Sequence, residues 1–363
     1  MRTRKSLYIV GTNGLPVRYG GWDKLLDNLT LTLSSDYKIV VYTSSYEALP
    51  NLTEYNGAEI KLIPLQANGV QSIFYDFFSM LHAVFCKADF ILVLGVSGGI
   101  FFPFFKIFKS RVILNPDGAE WKRTKFGKLT KTFLKLSEMV SVRFADKVIS
   151  DNKIIAKDLL DQYGVNSTVI EYGADHVLAL PLKSGTKTAY GIKQGSYAIK
   201  VCRIVPENNI EMILKAFAKN QYKFLLIGNW NNSQFGIKIR EKFNKYKNLS
   251  LLDPIYDQEK IDELRSNCKL YVHGHSVGGT NPSLVEAMYL GLPSIVFDVN
   301  YNRETTKDCA QYFSTENEII DTLAKIWDDD ALLADCGGKL KVLAENKYRW
   351  SVIVEKYRQV IEC

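Results

Sequence analysis

Between Cys268 and Asp298 the chain gathers residue types suited to an anionic, hydroxyl-bearing ligand. A strand-like run, Cys268-Lys-Leu-Tyr-Val-His273, passes into Gly274-His-Ser-Val-Gly-Gly-Thr280, and Asn281-Pro282 then reads as the N-cap and first residue of a helix. A glycine turn that runs into a helix start places backbone N–H groups and the positive end of the helix dipole at one spot. Glu286, one turn further, can face the same cavity and accept hydrogen bonds from sugar hydroxyls. Phosphate at the helix end and ribose on the carboxylate describe a nucleoside-diphosphate pocket, with His275, Gly279, Thr280, Asn281, Ser283, Leu284 and Glu286 as candidate donor-binding residues. An ordinary capped helix of an α/β domain accounts for the same signals.

Three other stretches carry possible chemistry. Arg203 ends a strand-like run and precedes Pro206-Glu-Asn-Asn209, a helix entry. A guanidinium there can clamp a diphosphate with two parallel hydrogen bonds; a surface arginine is the alternative. Asn115-Pro-Asp-Gly-Ala-Glu-Trp-Lys-Arg123 also follows a strand. Asp117 or Glu120 could orient or deprotonate an acceptor hydroxyl while Lys122 and Arg123 hold the acceptor's phosphate. Equally, the segment could be an Asp-Gly turn with an exposed ion pair. Ile100-Phe-Phe-Pro-Phe-Phe-Lys-Ile-Phe-Lys109 is either the start of a core helix or an aromatic patch seated among lipid head groups.

The elements needed to position these residues are legible along the chain. Its 363 residues, 47% hydrophobic, suggest two domains with sizeable cores. In the first half, strand-like runs fall at 7–10, 38–43, 59–64, 90–94, 112–114, 148–150 and 168–171, with helical patterns at 22–33, 73–85, 128–144 and 153–163. After a weakly patterned connector, 173–195, strands restart at 197–201, 224–227, 250–252, 270–273 and 294–297. Alternating strands and helices imply an α/β fold with doubly wound, mostly parallel sheets, whose ligands bind beyond the carboxyl ends of the strands. Trp350–Ile361 reads as an amphipathic helix.

Composition narrows the classes. Six scattered cysteines disfavour a disulfide framework or zinc site and fit a reducing cytosol. Four dispersed histidines and the Asp328-Asp-Asp330 turn give no metal site, so none is expected. The apolar run 7–10 is too short for a signal peptide, and nothing approaches a membrane span. Gly11, Gly14, Gly20 and Gly21 do not have dinucleotide-fingerprint spacing, so a bound NAD is disfavoured. Residues 100–135 hold nine basic residues against two acids, an excess equal to the whole net charge of +7. A cluster so localised argues for an anionic partner, here expected to be lipid phosphate rather than nucleic acid.

The segment His273–Met288 resembles the donor-site signature of retaining glycosyltransferases of family four, and most closely the bacterial rhamnosyltransferases of polysaccharide assembly. The resemblance extends over nearly the whole chain, through Gly11-Thr-Asn-Gly-Leu-Pro, Tyr19-Gly-Gly-Trp22, Asn115–Arg123 and Arg203-Ile-Val-Pro-Glu-Asn-Asn209. It implies the GT-B architecture: two Rossmann-like domains facing across a cleft, with a C-terminal helix crossing back to the first. The expected division is an acceptor-binding domain over 1–180, a nucleotide-sugar-binding domain over 181–345, and a returning helix over 346–363.

The family usually carries two glutamates separated by seven residues. Glu286 matches the second, implied to hold the ribose, while Gly278 stands at the first. A lysine commonly follows the arginine by five residues; here that position is Asn208, and Arg18 could substitute. The resemblance places Gly20 and Gly21 near the donor phosphates and Arg203 and Asn208 at the diphosphate. The catalytic candidates are therefore Asp117, Glu120 and Arg203, with Lys122 and Arg123 for the acceptor.

The implied reaction moves a sugar, rhamnose from dTDP-rhamnose, to a lipid-pyrophosphate-linked saccharide. The nucleotide sugar is a co-substrate and no cofactor is expected. The enzyme is expected in the cytoplasm, peripheral at the inner face of the plasma membrane. A UDP-hexose donor, a non-hydrolysing nucleotide-sugar epimerase and a non-catalytic partner subunit are the alternatives.

Overall fold

The computed structural model describes residues 4–16, 21–123 and 126–363. They divide into two compact units, Met1–Tyr172 with Trp350–Cys363 and Gly173–Arg349.

In the first unit, strands β1 (Ser6–Val10), β2 (Lys38–Ser44), β3 (Glu54–Tyr55), β4 (Ala58–Ile63), β5 (Phe90–Leu94), β6 (Arg111–Asn115), β7 (Lys147–Ser150) and β8 (Thr168–Val169) form one sheet in the order β3-β4-β2-β1-β5-β6-β7-β8. Only the short edge strand β3 runs antiparallel. The helices are α1 (Gly21–Leu33), α2 (Gln71–Phe85), α3 (Phe102–Phe105), α4 (Lys128–Phe144) and α5 (Lys153–Tyr163). β1 and β5 read as unbroken apolar runs because a parallel strand is covered on both faces, and Leu7, Ile9, Ile91 and Leu92 are wholly inaccessible. The run 168–171 pairs only at 168–169, since β8 is the sheet edge and Glu171 instead turns to Lys356 at 2.8 Å.

The second unit opens with α6 (Ser184–Tyr190). Its strands are β9 (Tyr197–Val201), β10 (Lys223–Ile227), β11 (Leu249–Leu252), β12 (Leu270–His273), β13 (Ser294–Phe297) and β14 (Gln311–Phe313), ordered β11-β10-β9-β12-β13-β14 and all parallel. The helices are α7 (Ile210–Ala218), α8 (Gln234–Phe243), α9 (Gln258–Ser266), α10 (Pro282–Tyr289), α11 (Asn300–Thr306), α12 (Glu316–Ile326) and α13 (Asp330–Lys347).

The division falls at Tyr172/Gly173, earlier than the expected position 180, and side-chain anchors explain it. The backbone amides of Leu178, Leu180 and Lys183 donate to Asp262, Ser266 and Glu263 of α9, at 3.0, 3.2 and 2.7 Å. A connector with no periodic pattern is thus fastened to the second unit by polar groups distant in sequence. The last helix, α14 (Trp350–Glu362), belongs to the first unit. It buries Ile353, Val354, Tyr357 and Ile361, and Tyr37 and Arg358 form polar links to Glu362 and Asp36 at 3.0 and 2.7 Å.

Candidate functional site

In the second unit, the loops after β9 and β12 lock together. Asn209, at φ +50°, donates from Nδ2 to the Gly274 carbonyl at 2.9 Å, and the Ser276 amide donates to the Glu207 carbonyl at 2.9 Å. A Cβ on Gly274 would lie 2.3 Å from the Asn208 carbonyl oxygen, so only glycine allows this approach. Asn302 of α11 holds the His275 carbonyl from the other side at 2.9 Å. Arg203, His275 and the start of α10 are thereby collected at the carboxyl ends of neighbouring parallel strands.

Asn281 caps α10. Its Oδ1 accepts from the Ser283 amide at 3.1 Å and the Ser283 hydroxyl at 2.9 Å, while its carbonyl accepts from the Leu284 and Val285 amides. The cap and the proline together take up the first N–H positions of the helix. Pro282 has no N–H, Ser283 and Leu284 are engaged by the cap, and the Leu284 side chain is core. The Ser283 hydroxyl also receives the Tyr271 hydroxyl at 3.0 Å. What α10 offers a ligand is its dipole and the preceding loop, where Gly279 and Thr280 are buried. Gly278 adopts φ +116°, a conformation that side-chain-bearing residues rarely adopt, so a glutamate on this backbone would be strained.

Glu286 is buried and already engaged. Arg265 of α9 donates from Nη1 to its Oε2 at 2.5 Å, and His176 Nε2 lies 3.2 Å from its Oε1. Burial raises the carboxyl pKa, but the Arg265 guanidinium and the His176 contact outweigh it and hold the group at about 2. Neither partner was signalled in sequence; α9 comes beside α10 only through the sheet order. A carboxylate has about four lone-pair sites, so these two contacts leave acceptor capacity.

Arg203 is exposed, with its side chain unpaired among the described residues. Asn208 is buried, and its Nδ2 donates to the Arg203 carbonyl at 2.8 Å. Asn208 therefore shapes the turn that presents Arg203 and is not a free counterpart to it. Gly20 and Arg18, like Lys125, lie outside the described residues; Gly21 begins α1. Gly11 and Gly14 have packing reasons of their own, since a Cβ would meet the Leu94 carbonyl at 2.2 Å and Thr43 Oγ1 at 2.0 Å.

In the first unit, the loop after β6 satisfies its own charges. Arg123 Nη2 contacts Asp117 Oδ2 at 3.3 Å and Glu120 Oε1 at 3.1 Å, and Lys122 reaches Asp158 at 3.2 Å. Asp117 holds φ +66°, with its amide donating to Asn115 Oδ1 at 3.1 Å. Trp121 donates to buried Glu138 at 3.2 Å, which Tyr163 also meets at 2.7 Å; burial raises the Glu138 pKa despite both bonds.

The phenylalanine run divides between core and surface. Phe102 and Phe105 are buried, whereas Phe104 and Ile107 are exposed. Phe77 of α2 nests against Phe101, Phe104 and Phe105 at centroid distances of 4.7, 6.3 and 5.8 Å. Val70, just before α2, and Phe74, Phe78 and Phe85 on it are exposed as well, apolar surface beside the Phe77 cluster that the sequence reading did not include. Lys106 pairs with Asp146, so part of the basic excess is neutralised locally; Lys109, Lys128 and Lys131 have no acidic partner among the described residues. His82 packs edge-on to Tyr42 and bonds its hydroxyl at 2.8 Å. Asp329 caps α13 through the Leu332 amide at 2.9 Å, and Asp330 pairs with Lys269 at 3.1 Å.

Residues 187–349 match the family described as Glycosyl transferases group 1, and residues 4–175 match a domain of unknown function, DUF1972. No curated protein matches the chain. Among solved structures it is similar to the sucrose-phosphate synthase of Thermosynechococcus elongatus, with TM-score 0.81, 15% identity, and coverage of 99% of this chain and 98% of that one. Anabaena HepE in complex with UDP-glucose gives TM-score 0.76, 13% identity, and coverage of 99% and 100%. The catalytic domain of Arabidopsis thaliana starch synthase IV, bound to ADP and acarbose, gives TM-score 0.69, 11% identity, and coverage of 99% of both chains. These likenesses establish a two-domain α/β fold of the GT-B type. The group 1 match over the second unit, together with that fold, indicates a hexosyltransferase.

Proposed function

We propose that the protein is a retaining, metal-independent glycosyltransferase that moves rhamnose from dTDP-rhamnose to a lipid-pyrophosphate-linked saccharide at the inner face of the bacterial plasma membrane. One observation carries the donor half of this reading. An exposed, unpaired Arg203 stands beside a capped helix start, on loops that Asn209 and Gly274 fasten together. As the sugar–oxygen bond to the diphosphate breaks, negative charge develops on the leaving group, and Arg203 with the positive end of α10 meets it without reorganising. Glu286, kept ionised by Arg265, has lone pairs left for a ribose hydroxyl. For the acceptor, Arg123 exchanges its carboxylate partners for an incoming phosphate, and Asp117 or Glu120, so released, orients the acceptor hydroxyl and takes its proton as the new glycosidic bond forms and the bond to the diphosphate breaks. Retention and rhamnose rest on the sequence resemblance.

The apolar face of α2 and α3, flanked by unpaired lysines, supports a lipid-borne acceptor, because aromatic rings and ammonium groups suit the head-group region of an anionic bilayer. A UDP-hexose donor is the second reading, favoured by the likeness to HepE, which was solved with UDP-glucose.

A donor panel scored by nucleoside diphosphate release, with lipid-linked acceptor in anionic vesicles, tests these together. Release with dTDP-rhamnose alone supports the first reading, release with a UDP-hexose supports the second, and release with neither defeats both. In flotation, wild-type protein is expected to rise with anionic vesicles and to detach in high salt, and Phe78→Ser/Ile107→Ser to stay behind; a wild type that ignores vesicles removes the membrane part.

A further inference from the structure

Glu286 is the only acid between His273 and Tyr289, and each of its oxygens already has a partner. Arg265 holds Oε2 at 2.5 Å, and His176 Nε2 stands 3.2 Å from Oε1. The carboxyl is ionised at neutral pH and can only accept, so the imidazole Nε2 carries the hydrogen and donates it. The side chains of Arg265, Glu286 and His176 are 3%, 11% and 16% exposed. Asp262, one turn before Arg265 on α9, is no substitute acceptor, because its oxygens are taken by the Leu178 amide at 3.0 Å and Gln258 Nε2 at 2.8 Å.

His176 is held in place by backbone on both sides. Two residues before it the Ala174 amide donates to the Tyr348 carbonyl at 2.7 Å, and two residues after it the Leu178 amide donates to Asp262. Tyr348 is itself wholly buried, and its hydroxyl donates to the Thr305 carbonyl at 2.8 Å.

These contacts bear on the sugar of the nucleotide. A ribose offers adjacent 2′ and 3′ hydroxyls, and an unoccupied carboxylate can accept them as a fork, one on each oxygen. A 2′-deoxyribose offers only the 3′ hydroxyl. Lone pairs remain on Glu286, but a carboxylate so enclosed presents one open edge, enough for one hydroxyl. A second hydroxyl entering beside it would lose its water and find no carboxylate oxygen to take its hydrogen, the costly outcome for a buried donor.

We propose that His176 is a specificity-determining residue: by occupying Oε1 of Glu286 it matches the pocket to a nucleoside diphosphate whose sugar is 2′-deoxyribose rather than ribose. This selectivity rests on the donor reading above, in which Glu286 holds the nucleotide sugar.

Calorimetry on the full chain with dUDP and UDP isolates the 2′ hydroxyl, because the two differ in nothing else; dTDP against dUDP reads the base methyl separately. Wild-type protein is expected to bind dUDP about tenfold more tightly than UDP, the scale for one unsatisfied buried hydroxyl. His176→Ala frees Oε1 and should bring the ratio close to one, by tightening UDP rather than weakening dUDP. His176→Gln, which restores an N–H donor near the same place, should restore the preference. Should His176→Ala fail to fold, His176→Leu, which keeps bulk without the N–H, is read the same way. A purely structural role for His176 would weaken both nucleotides alike and leave the ratio unchanged, and that result overturns the assignment. Equal wild-type affinities for dUDP and UDP overturn the selectivity while the donor reading stands. A wild type that binds none of the three nucleotides overturns both.

Discussion

The loop after β9 and the loop after β6 both leave the carboxyl end of a parallel strand, and both carry arginine, but they differ in how their charge is engaged. Arg203 stands exposed and unpaired on a turn held rigid by Asn208, Asn209 and the close approach of Gly274. Arg123 is only 15% exposed at its side chain and lies between two carboxylates, with Lys122 tied to Asp158. In the first loop the guanidinium has no acidic partner among the described residues, and amide and backbone hydrogen bonds hold the turn that carries it. The second must break an ion pair before it can bind a phosphate, so part of any new interaction offsets the old one. On the proposed assignment, with a preorganised donor side and a self-satisfied acceptor side, the acceptor loop rearranges on binding.

Glu286 should give the largest effect. Glu286→Ala leaves Arg265 buried and unpaired, and removing one partner of a buried pair costs about 3–5 kcal/mol; chemical denaturation reads the loss directly. Because Glu286 titrates at about 2 in the folded state against 4.5 ordinarily, the pair's contribution is complete above pH 4.5 and fades as pH falls toward 2. The wild-type and variant curves should therefore converge in acid. Parallel curves across that range would show that the pair does not hold the unit together.

Arg203 comes next. With no cation beside it on the same loop, Arg203→Ala is expected to lower turnover about 10²–10³-fold, the scale for one transition-state donor. Arg203→Lys, which loses the planar fork, should lower it about tenfold. Steady-state rates of nucleoside diphosphate release check both, and an Arg203→Ala enzyme at full rate would erase the contrast between the loops.

Asp76 offers a smaller effect, in the first unit. Its carboxyl is wholly buried, and burial raises its pKa from 3.8 to about 7 even though it accepts the Gly98 amide at 2.9 Å. Between those values the unfolded chain releases a proton that the folded chain keeps, so the group favours folding less as pH rises and is least favourable above 7. Asp76→Asn should raise Tm at pH 8 by roughly 2–4 °C, the shift expected from about 1 kcal/mol, and change little at pH 4. Equal gains at both pH values would show a packing effect instead.

Arg123 should give the smallest change. Its pairs are partly exposed, so Arg123→Gln is expected to alter stability by no more than about 1 kcal/mol in thermal melts. Its mark should be a raised KM for lipid-linked acceptor with nucleotide affinity intact; unaltered acceptor KM would make the triad of charges a purely local fastening.

The sequence by itself determined the periodic elements and the chemical inventory. Alternation and capping signals located β5, β9, β12, α4 and α5 at their observed bounds, and the Asn281-Pro282 start of α10 was readable because its cause is local. β3 and β14 escaped notice because strands of two and three residues leave no period to detect. What tertiary structure decided was which groups meet. Arg265 and Glu286 are joined by sheet order, the α2 aromatic stripe extends the Phe104 patch by lateral packing, and the 173–183 connector is fixed by α9 carboxylates far along the chain. Residue types and spacing can state that a glutamate and an arginine are available. Whether they face a ligand or each other depends on long-range packing, because a charge removed from water takes whichever partner the fold brings within hydrogen-bond reach.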